Sequence, residues 1–151
     1  MDSGRTVKRG PRSLHEGAFL GIARTAATLE LGIAQALKPH GITPTQYNVL
    51  RILRGAGPAG LCRHEVGARL IRAVPDVTRL LDRMEDLHLI TRERGREDRR
   101  YVTTRIAPPG LELLDRLEGV IHAAHIRQLG HLDSQSLKQL LELLDRVNAR
   151  D

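Results

Sequence analysis

Apolar residues recur at three- and four-residue steps over most of the chain, which is the spacing of amphipathic helices. The pattern predicts helices over 14–38, from 44 to about 54, from 62 onward, over 74–88, over 111–129 and from 133 or 134 onward. Thr43 and Cys62 occupy N-cap positions, and Gln46 and Glu65 follow three residues later. These pairs predict two capping boxes. Pro75 is expected in the first turn of the fourth helix.

The period changes to two near residue 90, which predicts a β-hairpin. Val102, Thr104 and Ile106 alternate with Tyr101, Thr103 and Arg105. The stretches LITRER and YVTTRIA flank the polar connection RGREDRR, which we expect at the exposed hairpin tip. Of the ten residues 92–101, five are Arg and three are acidic. Three short helices followed by a hairpin give a mainly α (α+β) fold with the element order of a winged helix-turn-helix.

The charge balance favours a polyanionic partner. The net charge is +6, and the segments 1–13 and 63–105 each carry +3, whereas 106–151 carries −2. Aromatic residues make up only 2% of the chain, which argues against stacking platforms for single-stranded nucleic acid. The single cysteine excludes an intramolecular disulfide and fits a reducing compartment. We find no apolar run of membrane-spanning length and no signal peptide, so we expect a cytoplasmic protein without a membrane partner.

No pattern points to an enzyme or a cofactor. GAGPAG at 55–60 matches G-x-G-x-x-G, but a helix precedes it and a proline interrupts it, so we interpret it as a flexible turn. The chain has no Gly-x-Ser-x-Gly motif and no metal motif of known spacing. Glu118, His122 and His125 share one helix face, with His131 further on, but no second pair completes a four-ligand set. We predict no catalytic residue, no cofactor and no metal site.

The fourth helix has one apolar face and one polar face that carries two arginines. The apolar face consists of Val77, Leu80, Leu81, Met84 and Leu87. Around Arg79, on the opposite side, lie Pro75, Asp76, Thr78, Asp82, Arg83 and Asp86. Arg79 and Arg83 form a like-charge pair that a phosphate or a guanine edge would relieve. The alternative is a solvated face on which the three aspartates pair with these arginines.

The arginines of the hairpin tip favour the DNA-binding interpretation over the solvated face. Arg96, Arg99 and Arg100 supply planar, permanently charged donors suited to phosphates or to a narrow minor groove. Asp98 is expected to hold one arginine in a fixed pose through a bidentate ion pair. The predicted DNA-binding residues are Pro75, Asp76, Thr78, Arg79, Arg83, Arg96, Asp98, Arg99 and Arg100.

Residues 74–110 resemble the MarR family of bacterial transcriptional regulators. The family shows a V-T-R-L-x-D-x-L-E type recognition helix, a G-L-[IV]-x-R exit, a D-x-R wing and a strand ending in L-T-x-x-G. The matching residues are Val77, Thr78, Arg79, Leu80, Asp82, Glu85, Leu89, Ile90, Arg92, Asp98, Arg100, Ile106 and Gly110. The chain departs from the pattern at Met84, at His88 where Gly is usual, and at Ala107 where Thr is usual. These departures affect helix caps and leave the DNA-facing positions unchanged.

The resemblance implies an obligate homodimer built by the terminal helices. We divide the chain into a disordered basic arm (1–13), an N-terminal dimerisation helix (14–40), a winged helix-turn-helix domain (43–107) and C-terminal dimerisation helices (108–151). The outer helices carry long apolar stripes without a core of their own, which independently favours a partner chain. The alternative is that they fold back on their own domain.

The resemblance also implies regulation by a small ligand, often a phenolic or other aromatic acid. Arg24, Tyr47 and Arg51 are the candidates for such a pocket, although packing and surface roles also suit them. Some relatives sense oxidants through a cysteine near the start of the first helix, where this chain has none. Cys62 lies at a helix N-terminus, which can lower a thiol pKa, but the position equally suits a substitute for a Ser or Thr cap.

The sequence therefore predicts a DNA-binding transcriptional regulator, most simply a ligand-responsive repressor that binds a palindromic operator as a homodimer. Two alternatives remain. One is a metal- or redox-responsive regulator of the same fold that uses His122 and His125 or Cys62. The other is a winged helix that binds only proteins.

Overall fold

A computed structural model describes residues 10–149. Within this range the chain forms α1 (Leu14–Leu37), α2 (Pro44–Ala56), α3 (Arg63–Arg69), α4 (Val77–Asp86), β1 (Ile90–Arg94), β2 (Val102–Ile106), α5 (Pro108–Leu129) and α6 (Ser134–Asn148). The two strands pair antiparallel, with Ile90 opposite Ile106 and Arg94 opposite Val102. The predicted mainly α winged helix-turn-helix is thus confirmed. Of the predicted arm, residues 1–9 lie outside the described range, and Ser13 already caps α1.

Local capping explains where the short helices begin. Thr43 and Gln46 form the predicted capping box, with bonds of 3.2 and 3.0 Å, and the carboxylate of Glu65 accepts the Cys62 N–H at 2.8 Å. The expectation for Pro75 was wrong. Asp76 is the N-cap of α4, because its carboxylate accepts the Arg79 N–H at 2.9 Å, and Pro75 therefore precedes the helix.

The end of α4 explains the unusual histidine. His88 has φ = 61°, in the left-handed region, where the family pattern has glycine. Its N–H donates to the Glu85 carbonyl, and the Leu89 N–H donates to the Met84 carbonyl. This is a Schellman motif, and it turns the chain into β1. Leu87, expected in the core, is 50% exposed because it lies at this turn.

One apolar core joins α2, α3, α4, β1 and α5. Its fully buried members include Leu50, Leu53, Leu81, Met84 and Leu117. The predicted stripe of α5 is buried, but it packs into this core of the same protomer. The expectation that this stripe lacks a core of its own was therefore wrong. Gly110 permits the fit, because a Cβ there would lie 2.3 Å from the Leu89 carbonyl oxygen.

The wing is fastened to the connection between α2 and α3, a link that the sequence analysis did not predict. Leu61 and Thr104 exchange two backbone hydrogen bonds of 2.9 and 2.7 Å, which form an isolated antiparallel bridge at the edge of the hairpin. Gly60 has φ = 65° and lies against the Thr104 carbonyl, where a Cβ would lie 2.6 Å away. Arg105 donates to the Pro58 carbonyl at 2.7 Å. The GAGPAG segment is therefore a packed connection and not the flexible turn that we expected.

The helices α1 and α6 leave apolar surface exposed. Along α1, Leu14, Phe19, Ile22 and Leu31 are exposed, and α6 contains no buried residue in the protomer.

By length and composition Leu14–His40 would be long enough to cross a membrane, with a mean hydropathy of 1.2 in its most apolar window, none of which is buried. The statement that no such segment exists was therefore wrong. Of the helices α1 and α6, α6 has no buried residue and therefore lacks the tertiary packing from which helices in proteins gain most of their stability.

Candidate nucleic-acid interface

An exposed surface of arginines, here called the arginine face, extends from α4 to the tip of the wing. Arg79 and Arg83 lie exposed on α4, next to exposed Pro75 and Asp76, and Thr78 is half-buried beside them. On the wing, Arg96, Asp98, Arg99 and Arg100 are all exposed. The predicted DNA-binding residues therefore lie on α4, on the two residues that precede it, and on the wing tip.

The aspartates of α4 do not neutralise this face. Among residues 10–149, no carboxylate lies within ion-pair distance of Arg79 or Arg83. Asp76 serves as the N-cap, and Asp82 pairs with Arg92 of β1 at 2.6 Å. The ion pairs expected for the solvated-face alternative are therefore absent among the described residues. The two guanidinium groups remain available for an external anion.

Arg92 holds the wing against α4, an arrangement here called the clamp. Its guanidinium binds Asp82 at 2.6 Å and Glu85 at 3.0 Å, and its side chain is only 21% exposed. The hydrogen bond to Glu85, followed by that to Asp82, raises the pKa of Arg92 further above its ordinary value. The clamp fixes the angle between wing and helix. It also offsets one of the two negative charges beside the arginine face, which would otherwise repel a polyanion more strongly.

Asp98 fixes Arg100 at the wing tip, as the sequence predicted. Its carboxylate accepts the Arg100 backbone N–H at 3.0 Å, Nε at 3.2 Å and a terminal nitrogen at 3.4 Å. These bonds, the backbone one first, lower the pKa of Asp98 below its usual value, so the pair persists down to a pH below that of a free aspartate. The Arg100 side chain is 92% exposed but is held in a defined direction.

A groove of about 850 Å³ lies between α4 and the wing, and residues at the start of α3 form part of its lining. Arg63 and His64 of α3, Thr78 of α4 and Arg94 of β1 line it together with members of the clamp. Arg63 donates to the Thr78 hydroxyl at 2.9 Å. The sequence analysis missed Arg63 and Arg94. No signal in the sequence pattern of α4 could have found Arg63, because the contact joins two different helices.

A second cavity, of about 610 Å³, lies between α1, α2 and the α3–α4 connection and is here called the α1–α2 cavity. It contains Tyr47 and Arg51, whereas Arg24 lies exposed on α1 outside its lining. Arg51 donates to the Tyr47 hydroxyl at 3.2 Å and lies 5.9 Å from the ring centre. The polar lining also includes Glu30 and Arg72, which form an ion pair, and Thr45, Asn48 and His125.

The described residues contain no cluster of three His, Cys, Asp or Glu side chains that could hold a metal ion. His122 and His125 are exposed on α5, and His125 lines the α1–α2 cavity. Cys62 is half-buried at the N-cap of α3.

The fold and the arginine face define a winged helix-turn-helix protein of the DNA-binding type. The family model described as MarR family matches residues 40–100. The chain is 34% identical over 111 residues to the uncharacterized HTH-type transcriptional regulator YkoM of Bacillus subtilis. This match covers 73% of this chain and 70% of YkoM. It is 36% identical to a MarR transcription factor from Planctomyces limnophilus, with a TM-score of 0.71 over 88% of this chain and 96% of that one. The chain therefore belongs to the MarR family of transcriptional regulators.

A more distant structure shares the fold. BpsR of Bordetella bronchiseptica, whose DNA binding is regulated by 6-hydroxynicotinic acid, superposes with a TM-score of 0.80 at 20% identity. The match covers 94% of this chain and 100% of that one. At this identity the likeness concerns the fold alone.

Proposed function

We propose that this chain is a ligand-responsive repressor that binds a palindromic operator as a homodimer in the cytoplasm. The observation that carries the proposal is the arginine face. On α4 it presents Arg79 and Arg83 without a carboxylate partner among the described residues, and on the wing it presents Arg100 in a fixed direction. A helix of this kind reads base edges in the major groove. The wing arginines suit the adjacent minor groove or its phosphates.

The exposed apolar surface supports a homodimer. It includes Phe19 and Ile22 on α1 and Leu140, Leu143 and Val147 on α6. In the protomer α6 makes only sparse contacts with other elements. A second copy would cover both helices, and it would present two arginine faces related by a two-fold axis to the two halves of a palindrome. The ion pair of Glu30 with Arg72 argues against a membrane as the cover for α1, because it ties this helix to the DNA-binding domain.

The α1–α2 cavity supports regulation by a small aromatic acid. Its walls are mainly apolar, and Tyr47 and Arg51 offer a ring and a cationic donor to an aromatic carboxylate. The cavity touches both α1 and the connection that leads into α4, so a bound acid would act on the orientation of α4. The regulation of BpsR by 6-hydroxynicotinic acid provides a precedent within the same fold.

The test of the proposal is fluorescence anisotropy of the protein with its own upstream DNA and with a scrambled duplex, across a salt series. We expect a saturable complex of one dimer with two half-sites, favoured over the scrambled duplex by about a thousandfold or more. Equal, steeply salt-dependent binding to both duplexes would contradict sequence-specific recognition of the upstream DNA. No binding to either duplex would favour a module that binds only proteins.

Release of the operator by an aromatic acid is a separate expected outcome. With 6-hydroxynicotinic acid or 4-hydroxybenzoate as probes, we expect millimolar or lower concentrations to release the operator. Arg51→Met should raise the concentration needed by about tenfold, the loss of one charge-assisted hydrogen bond. Arg24→Met is the matched control, since Arg24 lies on α1 outside the cavity, and it should respond as the natural chain does. Release by peroxide or by a metal ion, and not by acids, would instead favour the redox or metal alternatives.

A further inference from the structure

The contact between Arg63 and Thr78 determines how Thr78 can take part in recognition. Arg63 is the first residue of α3 and Thr78 the second residue of α4, so their bond joins the two helices of the helix-turn-helix. Thr78 is half-buried at the margin of the arginine face, and both side chains line the groove beside the wing. Among residues 10–149, no carboxylate lies within ion-pair distance of Arg63. No carboxylate in that range therefore competes with the Thr78 hydroxyl for the Arg63 guanidinium.

The hydrogen-bonding capacity of a threonine hydroxyl is limited. It has one hydrogen to donate and two lone pairs that can accept. At 2.9 Å the guanidinium of Arg63 occupies a lone pair of Oγ1. The hydroxyl hydrogen remains free, and a bond accepted from a cation polarises the O–H group and makes it a better donor. The adjacent positive charge also opposes the approach of a further donor.

We propose that Arg63 is a positioning residue that presents Thr78 to the operator as a hydrogen-bond donor. This inference rests on the proposed DNA-binding function. The DNA atom opposite Thr78 must then be an acceptor: a purine N7, guanine O6, thymine O4 or a phosphate oxygen. The amino groups of adenine and cytosine are donors, and this arrangement rejects them. A threonine without this partner could accept from an amino group as well, and it would discriminate less.

The test is a double-mutant cycle on operator affinity with Arg63→Met, Thr78→Val and the double variant. We expect each single variant to weaken operator binding by about tenfold. The double variant should be no weaker than Thr78→Val alone, because Arg63 acts through the hydroxyl. Thr78→Ser keeps the hydroxyl and should retain most of the affinity. The control is Arg69→Met, which removes the same charge from the other end of α3 and should show no coupling to Thr78.

Two modified operators then identify the acceptor. Scanning 7-deazapurines through a half-site should weaken the natural protein at one position and leave Thr78→Val unaffected there, if a purine N7 is the acceptor. If a phosphate oxygen is the acceptor, a methylphosphonate scan should likewise weaken binding of the natural protein at one position and leave Thr78→Val unaffected there. If the acceptor is a base atom, Arg63→Met should also relax base preference at that operator position. A purely structural contact would change the melting temperature and leave the response to both scans unchanged.

The outcomes separate this inference from the proposed function. If the natural protein does not distinguish its operator from scrambled DNA, the proposed function fails. If it does, but the losses from Arg63→Met and Thr78→Val add and the salt slope falls by about one, Arg63 is an independent phosphate contact and the inference is wrong.

Discussion

The double variant Arg79→Ala, Arg100→Ala is expected to lose nearly all specific operator binding while its dimer remains intact. Both side chains are exposed, and neither contributes to the core, so folding should be unaffected. Arg79 lies at the centre of the α4 face without a carboxylate partner among the described residues, and Arg100 is directed outward by Asp98. Each well-formed arginine contact to a base is worth about 1–3 kcal/mol, so the combined loss should be roughly a thousandfold.

The single variants separate the contributions of helix and wing. Arg79→Ala should relax base preference in the major groove, whereas Arg100→Ala should weaken binding with a smaller change in base preference. The operator affinity of Asp98→Asn should lie between those of Arg100→Ala and the natural protein, because Arg100 keeps its charge but loses the partner that directs it. Anisotropy titrations at a fixed salt concentration provide the affinities, and thermal melts check the fold.

The matched control is Arg116→Ala, Arg146→Ala, which removes the same two charges from exposed positions on α5 and α6. This control should bind the operator within a few fold of the natural protein. Normal operator binding by Arg100→Ala would show that the wing is not a DNA contact. Equal losses in the control and in the Arg79, Arg100 variant would mean that total charge, and not the arginine face, determines affinity.

Interactions within a few residues of one another were the part of the fold that the sequence predicted. The capping boxes at Thr43 and Cys62 and the ion pair of Asp98 with Arg100 connect residues two or three positions apart. Helical periodicity likewise predicted the buried face of α5. Such features depend on local backbone geometry, which a single sequence determines.

Contacts between distant elements could not be predicted in this way. The Arg63–Thr78 bond spans 15 positions, and the Leu61–Thr104 bridge depends on how the wing lies against α3. Arg24 was assigned to the cavity because arginine suits an anion, but the rotation of α1 about its axis places Ala26 and Glu30 there instead. The same limit explains α5, whose apolar stripe predicted burial without identifying the core that buries it.

Leu140→Glu is expected to abolish the dimer and, as a consequence, operator binding. Leu140 lies at the centre of the apolar face of α6 and is 38% exposed in the protomer. The two-fold symmetry of a dimer would bury two unpaired carboxylates, each at a cost of several kcal/mol. The dimer dissociation constant should therefore rise by at least a hundredfold. Sedimentation velocity over a concentration series measures this change directly.

Loss of the dimer should weaken operator binding far more than any single DNA contact. A monomer can occupy only one half-site, so it loses the gain in effective concentration that links the two arginine faces, a factor of about 10²–10⁴. The winged-helix core does not include α6, so the variant should retain a cooperative melt and, apart from α6, its helical circular dichroism.

Gln135→Glu is the matched control, because it places the same carboxylate on the polar side of α6, where it is exposed. It should remain dimeric and bind the operator normally. If Leu140→Glu also remains dimeric at low micromolar concentration, α6 does not form the interface, and the exposed face of α1 must be tested next through Phe19→Glu. If both variants remain dimeric, neither α1 nor α6 forms the dimer interface. The exposed apolar surface of these helices then no longer supports the proposed binding of a palindrome by a two-fold dimer.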